Sequence, residues 1–558
     1  MTATYDYVIV GAGAAGCVLA NRLSADPAAR VLLLEAGGAD LHPLVKIPAG
    51  FGMVMGTAMN WIYDTAPQRH LADRSMFLPQ GKVLGGSTSI NAMLYVRGNR
   101  GDYDGWRDAG CEGWGYDDVL PYFIAHERNE RLADAFHGTD GELNVADQVQ
   151  HNPLSRAFVR SCQQAGIPFT PDPNGADQTG VFYHQVTQRK ARRESAATAF
   201  LKPVRSRPNL TVLTGADVRR VQVSDGVATG VEYRRGGRVV TARARREVIV
   251  SAGAINSPRL LLHSGIGPAE ELRSIGVPVV HDLPGVGKNL HDQLEVYITV
   301  DAAQPVSYTG EDRGLRMLRH GIQYTLFRTG PATATVTEAG AFVRSEESVA
   351  QPDIQLHMLP VTVKWKDGSR TAEKVTGHGF TILACAIRPK SRGEVRLTSA
   401  DPAEPPVVDP NYLAEEEDWR VSVAGLRRIR EVLAQPAFAP YVAAEDMPGA
   451  DVDTDEELRD YITQWGKTDY HPVGTCKMGV DDMAVVDPQL RVRGVQGLRV
   501  IDSSIMPTII SGNTQAPSMM IGEKGAALVL GSDRPVAGPT ADAAQVRNTI
   551  DGPQPRTA

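Results

Sequence analysis

Hydrophobic and polar positions alternate along the chain in a way that separates its first part from its middle. Tyr7 to Val10 is a short apolar run; glycines follow, then a helix-like stretch to about Ser24 and a second apolar run, Val31 to Leu34. This order predicts a βαβ opening. From Asn209 the runs shorten to Leu210 to Leu213, Val218 to Val223, Val231 to Tyr233 and Val239 to Arg243. Asp225-Gly226 and Gly236-Gly237 stand between them as hairpin turns. Arg246 to Ser251 predicts a further strand running into Gly253 and a helix. Over Glu415 to Leu433, Val423, Leu426, Ile429 and Leu433 share one helical face, and Arg427, Arg428 and Arg430 fall on a solvated one. Residues 531–558 are rich in Pro, Ala, Asp and Gly without periodicity and predict a disordered tail.

Composition narrows the function classes. A chain of 558 residues needs more than one core, so two to four units are expected. The net charge is −7 and the basic residues are dispersed, which argues against nucleic acid as a partner. Five cysteines without a C-x-x-C pair indicate neither a disulfide framework nor a thiolate zinc site. No charged leader precedes an apolar stretch and no run of about twenty apolar residues occurs, so neither a signal peptide nor a transmembrane segment is expected. The expected location is the cytoplasm, with peripheral attachment to the inner face of the membrane left open, as is a homodimer.

Gly11-Ala12-Gly13-Ala14-Ala15-Gly16 follows a predicted strand and opens a predicted helix. There the first glycine makes a tight turn, the second admits a pyrophosphate and the third lets helix pack on strand. Glu35 lies 19 residues past the last glycine, at the end of the second strand, where a carboxylate accepts hydrogen bonds from ribose hydroxyls. This fingerprint does not choose between NAD and FAD, since both carry the same pyrophosphate and ribose. No H-E-x-x-H or comparable ligand cluster is present, so no metal is expected, and Gly85 to Ser89 is not a G-x-S-x-G elbow.

Two longer segments, Gly81 to Asn91 (GKVLGGSTSIN) and Gly253 to Gly267 (GAINSPRLLLHSGIG), together with Thr468 to Gly479 and Arg499 to Lys524, resemble the glucose–methanol–choline (GMC) oxidoreductase family. The nearest resemblance is to choline dehydrogenase-like and bacterial FAD-dependent alcohol dehydrogenases. It implies an α/β fold with a discontinuous Rossmann-like FAD-binding domain (1–150, 205–300 and 468–530) and an α+β, sheet-and-helix substrate domain (151–204 and 301–467). It also implies that Gly11, Gly13, Ala14, Ala15, Gly16, Glu35 and Ala36 hold the ADP part and Val218 the adenine side. Gly85, Gly86, Ser87, Asn91, Ala92, Met93 and Ala252 would lie along the flavin and pyrophosphate, with Asp502, Asn513 and Thr514 closing the site. Some members attach FAD through a histidine next to the position of Asn91; this chain has Ile90, which implies noncovalent FAD.

The implied reaction is oxidation of a primary alcohol to the aldehyde, which requires a base for the hydroxyl proton. His471 suits that role, since an imidazole titrates near neutrality, and the Asn513 amide is placed to donate to the developing alkoxide. Glu295 falls where choline-oxidising relatives pair a trimethylammonium group, with Tyr470, Trp61 and Trp365 as candidate cage aromatics. Against choline stand Arg313, Arg316, Arg319 and His320, either hostile to a cation or a solvated helix face. His291-Asp292-Gln293 also departs from the family's usual Gln-Asp-His, and His291 reads as a packing residue. A hydroxynitrile lyase on the same fold is the alternative of another class. The electron acceptor is O2, a quinone or a dye.

Overall fold

A computed structural model describes residues 3–364 and 377–536. Its first sheet has seven strands. Leu210–Leu213, Val31–Leu34, Ala3–Val10 and Arg238–Val250 run parallel in that order, and Leu498–Val500 also pairs in parallel with the last of these. Val227–Arg235 and Asp217–Ser224 extend the sheet antiparallel. The opening βαβ unit is present as read. The two strands predicted at Val239 to Arg243 and Arg246 to Ser251 are instead one strand of 13 residues. Ala244 and Arg245 carry no turn chemistry, and the strand changes company along its length: its first half borders the exposed hairpin, its second half lies buried between parallel neighbours.

The helix Ala14–Leu23 packs on the sheet and on the helix Gln515–Leu530. They meet where Gly522 leaves no room for a side chain, a Cβ there standing 2.9 Å from Ala15 Cα.

The second sheet is antiparallel throughout, in the order Val442–Met447, Leu294–Ala302, Gly379–Ala386, Ile354–Leu359, Ala339–Val343, Gly180–Tyr183, with Lys467–Thr468 also on Leu294–Ala302. Because side chains alternate across a strand, Leu294, Val296, Ile298, Ile354, Leu356 and Met358 point to one face. There they form a core with the helices Pro153–Gln164 and Glu416–Leu433. Glu295, Gln355, His357 and Leu383 point the other way. This alternation delivers polar groups to the site. The domain boundaries expected at 300 and 467 fall within the strands Leu294–Ala302 and Lys467–Thr468, which pair in this sheet.

The helix predicted from Glu415 to Leu433 spans Glu416–Leu433. Its arginines are not merely solvated: Arg430 pairs with Glu445 at 2.7 Å and Arg427 with Asp455 at 2.5 Å. All five cysteines are buried and free. Trp365 and residues 537–558, most of the predicted tail, lie outside the described residues; residues 531–536 form no helix or strand.

Candidate active site

One cavity of about 570 Å³ runs from the glycine turn to the second sheet. Of the described residues assigned to the cofactor, the substrate or the catalytic pair, all line it except Gly16 and Gly85, which act behind its wall. Gly16 packs the helix onto the strand so closely that a Cβ would stand 1.9 Å from Gly11 O, whereas a Cβ on Gly13 would meet nothing within 4 Å. The turn is thus shut at its back and open toward the cavity.

Two helix N-termini open onto the cavity, one at Gly13 at this end and one at Thr514 beside Asn513, and neither is capped by a side chain. Uncapped first-turn N–H groups and the positive end of the helix dipole fit a diphosphate. Glu35, buried beneath, accepts from the backbone N–H of Ala12 at 2.9 Å and of Gly37 at 2.7 Å. Burial pushes its carboxyl up to about 7 against those two bonds and the Lys82 charge. Besides facing the cavity, Glu35 therefore braces the glycine turn. Asp502 does the same for the second turn, accepting from Gly253 N–H at 2.9 Å and Ser257 Oγ–H at 2.5 Å.

At the far end stand His471 and Asn513. Gln293 donates its amide to the carbonyls of Ile387 and Ile510, at 3.1 and 3.0 Å, which turns its Oε1 toward His471 Nδ1 at 2.7 Å. Asp469 Oδ2 lies 3.2 Å from the same Nδ1. Two acceptors on Nδ1 require the proton there and leave Nε2 with its lone pair directed into the cavity. Asn513 Nδ2 sits 3.2 Å from that Nε2, and its Oδ1 accepts from Gln355 at 3.3 Å, which fixes which end of the amide faces the ring. Burial alone pushes the His471 imidazole down, but the Asp469 carboxylate, aided by Asp292, outweighs it and the net shift is upward. Asp292 also holds the main chain, accepting from the His471 N–H at 2.7 Å and from Thr468 Oγ1 at 2.5 Å.

Glu295 is not a free anion. Lys467 Nζ is bonded directly to it; Glu295 is buried and the Lys467 side chain is 13% exposed. Burial and the neighbouring Asp469 carboxylate hold Glu295 well above the ordinary carboxylate range, while Asp469, beside His471 and His357, lies below it. The candidate cage aromatics are also engaged by the chain's own cations. Lys82 Nζ stands 4.0 Å and the Arg259 guanidinium 5.9 Å from the Trp61 ring centre, and Lys467 Nζ is 5.4 Å from that of Tyr470. Arg313, Arg316 and Arg319 lie on the exterior and none lines the cavity. His291 lies behind Gly474, its Nε2 3.2 Å from Asn289 Oδ1, and does not reach the cavity.

Asp469, Gln293, Gln355, Lys467 and His357 escaped the sequence reading. Three of them had a signal: Gln293 in the departure at 291–293, and Gln355 and His357 as polar residues set among Ile354, Leu356 and Met358. His357 lines the cavity with neither ring nitrogen hydrogen-bonded, and burial lowers it to about 4 against the Asp469 charge. Glu295, His357 and Asp469 bring ligand-type atoms within 4.8 Å of one another, a grouping no sequence spacing announced, with the Lys467 ammonium already among them.

A Rossmann-type diphosphate cradle joined to a histidine and amide in one cavity defines a dinucleotide-dependent oxidoreductase. GMC oxidoreductase family models match residues 5–295 and 389–522, and the chain belongs to that family. It is 45% identical over 534 residues to an alcohol dehydrogenase (acceptor) of Pseudomonas putida, covering 94% of this chain and 96% of that one. To an oxygen-dependent choline dehydrogenase of Brucella melitensis it is 45% identical over 529 residues, covering 94% and 95%. Among solved structures, pyridoxine 4-oxidase from Mesorbium loti superposes with TM-score 0.85 at 32% identity, covering 94% of this chain and 98% of that one. A formate oxidase of Aspergillus oryzae, in a structure concerned with its FAD modification, gives TM-score 0.89 at 26% identity, covering 95% and 98%. The cofactor is FAD, and the protein is an oxidoreductase acting on CH–OH donors. These relatives are named as oxidoreductases, and the lyase alternative finds no support among them.

Proposed function

We propose that this protein oxidises an uncharged primary alcohol to the aldehyde, with His471 as general base. The observation that carries the choice of substrate is the Lys467–Glu295 pair: the carboxylate that would hold a quaternary ammonium already has an ammonium of its own. Bringing in a second cation beside Lys467 costs desolvation and sets like charge against like.

FAD, when bound, supplies the hydride acceptor; the glycine turn, Glu35 and the helix N-terminus at Gly13 would hold its ADP part, and residues 85–93 and 513–514, with the second helix N-terminus, its flavin end. The chain's own residues prepare the alcohol. His471 Nε2 takes the hydroxyl proton while Nδ1–H stays bonded to Gln293 and Asp469, so the imidazolium forms beside a carboxylate. Asn513 Nδ2, released from Nε2, donates to the alcohol oxygen and holds its carbon in one orientation. Noncovalent FAD follows from Ile90, and acid precipitation that left flavin in the pellet would contradict it.

On this reading the chain divides into a cofactor unit around the first sheet and a substrate unit around the second. The reduced protein passes electrons to O2, a quinone or a dye. Anaerobic mixing with straight-chain alkanols, benzylic alcohols and choline tests the substrate reading. Neutral alcohols should bleach the flavin fastest, and faster bleaching by choline at equal concentration would overturn it. Admitting air, and separately a soluble quinone, to the reduced protein then identifies the acceptor.

A further inference from the structure

The helix Gly314–Phe327 carries its apolar stripe on the outside. Leu315, Leu318, Ile322 and Leu326 recur at i, i+3, i+7 and i+11, one face of a helix, and are 84%, 58%, 51% and 67% exposed. Met317 and Phe327 add to the exposed apolar surface. The opposite face is pinned by polar contacts: His320 Nε2 bonds Glu311 at 2.5 Å and Tyr324 Oη donates to Ala191 O at 3.0 Å. The stripe cannot turn inward without breaking both.

Four arginines flank it, Arg313, Arg316, Arg319 and Arg328, against Asp312 and Glu311. Arg316 pairs with Glu311 at 3.1 Å and Arg313 approaches Asp312 at 3.6 Å. This is a local positive edge on a chain of net charge −7. The turn Pro331–Thr333 that follows the helix packs on Pro48–Gly50, and both segments continue into cavity walls, through Val336 and Thr337 and through Phe51, Gly52 and Met55. Met53 beside them is again exposed.

We propose that this helix docks the protein on an anionic lipid bilayer, lying in the plane of the surface with Leu315, Leu318, Ile322 and Leu326 among the acyl chains. Charge complementarity selects this occupant. An apolar stripe edged by arginine matches an anionic headgroup layer over a hydrocarbon boundary, along a helix roughly 21 Å long. A second copy of the chain fits less well, because a two-fold contact through this face would set arginine against arginine. No helix among the described residues is long and apolar enough to cross a membrane, so docking would be peripheral. The inference stands apart from the choice of alcohol.

The test is flotation of the full-length holoenzyme with vesicles of phosphatidylcholine, with and without phosphatidylglycerol. The protein should float with the anionic vesicles at low salt and less at high salt. Leu318→Glu with Ile322→Glu should abolish flotation. Arg316→Gln with Arg319→Gln should weaken it roughly thirtyfold, two arginines being removed from the surface. Both variants should reduce their flavin with a soluble alcohol at the parent rate, since none of these residues lines the cavity. Failure of the parent to float, flotation unchanged in the double glutamate variant, or equal flotation on pure phosphatidylcholine would overturn the proposal. So would a parent dimer that the glutamate variant dissolves in sedimentation velocity, which would assign the face to a second copy. Loss of alcohol-dependent bleaching with flotation intact would count against the alcohol reading alone.

Discussion

His471 shows how a single side chain acquires a job from its neighbours. Gln293 and Asp469 fix its tautomer, and the Asp469 charge raises its affinity for a proton. A base works only when deprotonated, so the acid limb of kcat/KM should lie above the ordinary imidazole value near 6.5. Asp469→Asn removes the anion that favours imidazolium, and the limb should move to lower pH. A limb that stayed in place, with only the overall rate reduced, would assign Asp469 a packing role. His471→Ala should slow anaerobic flavin reduction by roughly 10²- to 10⁴-fold, the usual contribution of a positioned base; stopped-flow absorbance reads it directly. Lys467→Met should raise the choline-to-alkanol ratio of kcat/KM at least about tenfold, because a cationic substrate could then replace the missing ammonium against Glu295. An unchanged ratio would show that the pair does not set charge selectivity.

At the scale of elements, what the sequence made legible and what it hid divide by the range of the interaction. The βαβ opening and the helix after Gly253 are local patterns and could be read from spacing. The one long strand at Arg238–Val250 could not, because its two halves differ in what they pair with, which no local pattern records. His471 and Asn513 were legible through motif; Asp469 was not. Tyr470 between them adopts φ +64°, a left-handed conformation uncommon for a tyrosine, and that turn lets Asp469 and His471 face the same cavity. Glu295 was legible as a position but misleading as a charge, since its partner Lys467 lies 172 residues away and reaches it only by strand pairing. The helix pair Ala14–Leu23 and Gln515–Leu530 offers a test at this scale. Gly522→Leu should force the helices apart at Ala15, destabilise the fold by about 1–3 kcal/mol and loosen flavin retention, because Ala15 also lines the cavity. Calorimetry and flavin content after gel filtration measure the two effects separately.

Across the whole molecule, two sheets with separate cores meet at one cavity, the first sheet supplying the glycine turns and the second the polar wall. A ligand filling that cavity bridges both, so the cofactor should contribute to stability as well as chemistry. Binding to the folded state alone stabilises by RT ln(1 + [L]/Kd), about 2.7 kcal/mol at a hundredfold excess over Kd. Removing FAD should therefore lower the melting temperature, and adding it back should restore it with a dependence on free FAD. The cavity joins the two cores, so the apoprotein should also lose their common cooperativity and melt in two steps where the holoenzyme melts in one. Calorimetry of both forms decides: a single transition in the apoprotein at the holoenzyme's temperature would mean that the cores are coupled by the chain itself, through the Leu294–Ala302 and Lys467–Thr468 pairing, and that FAD is a guest in a site already closed.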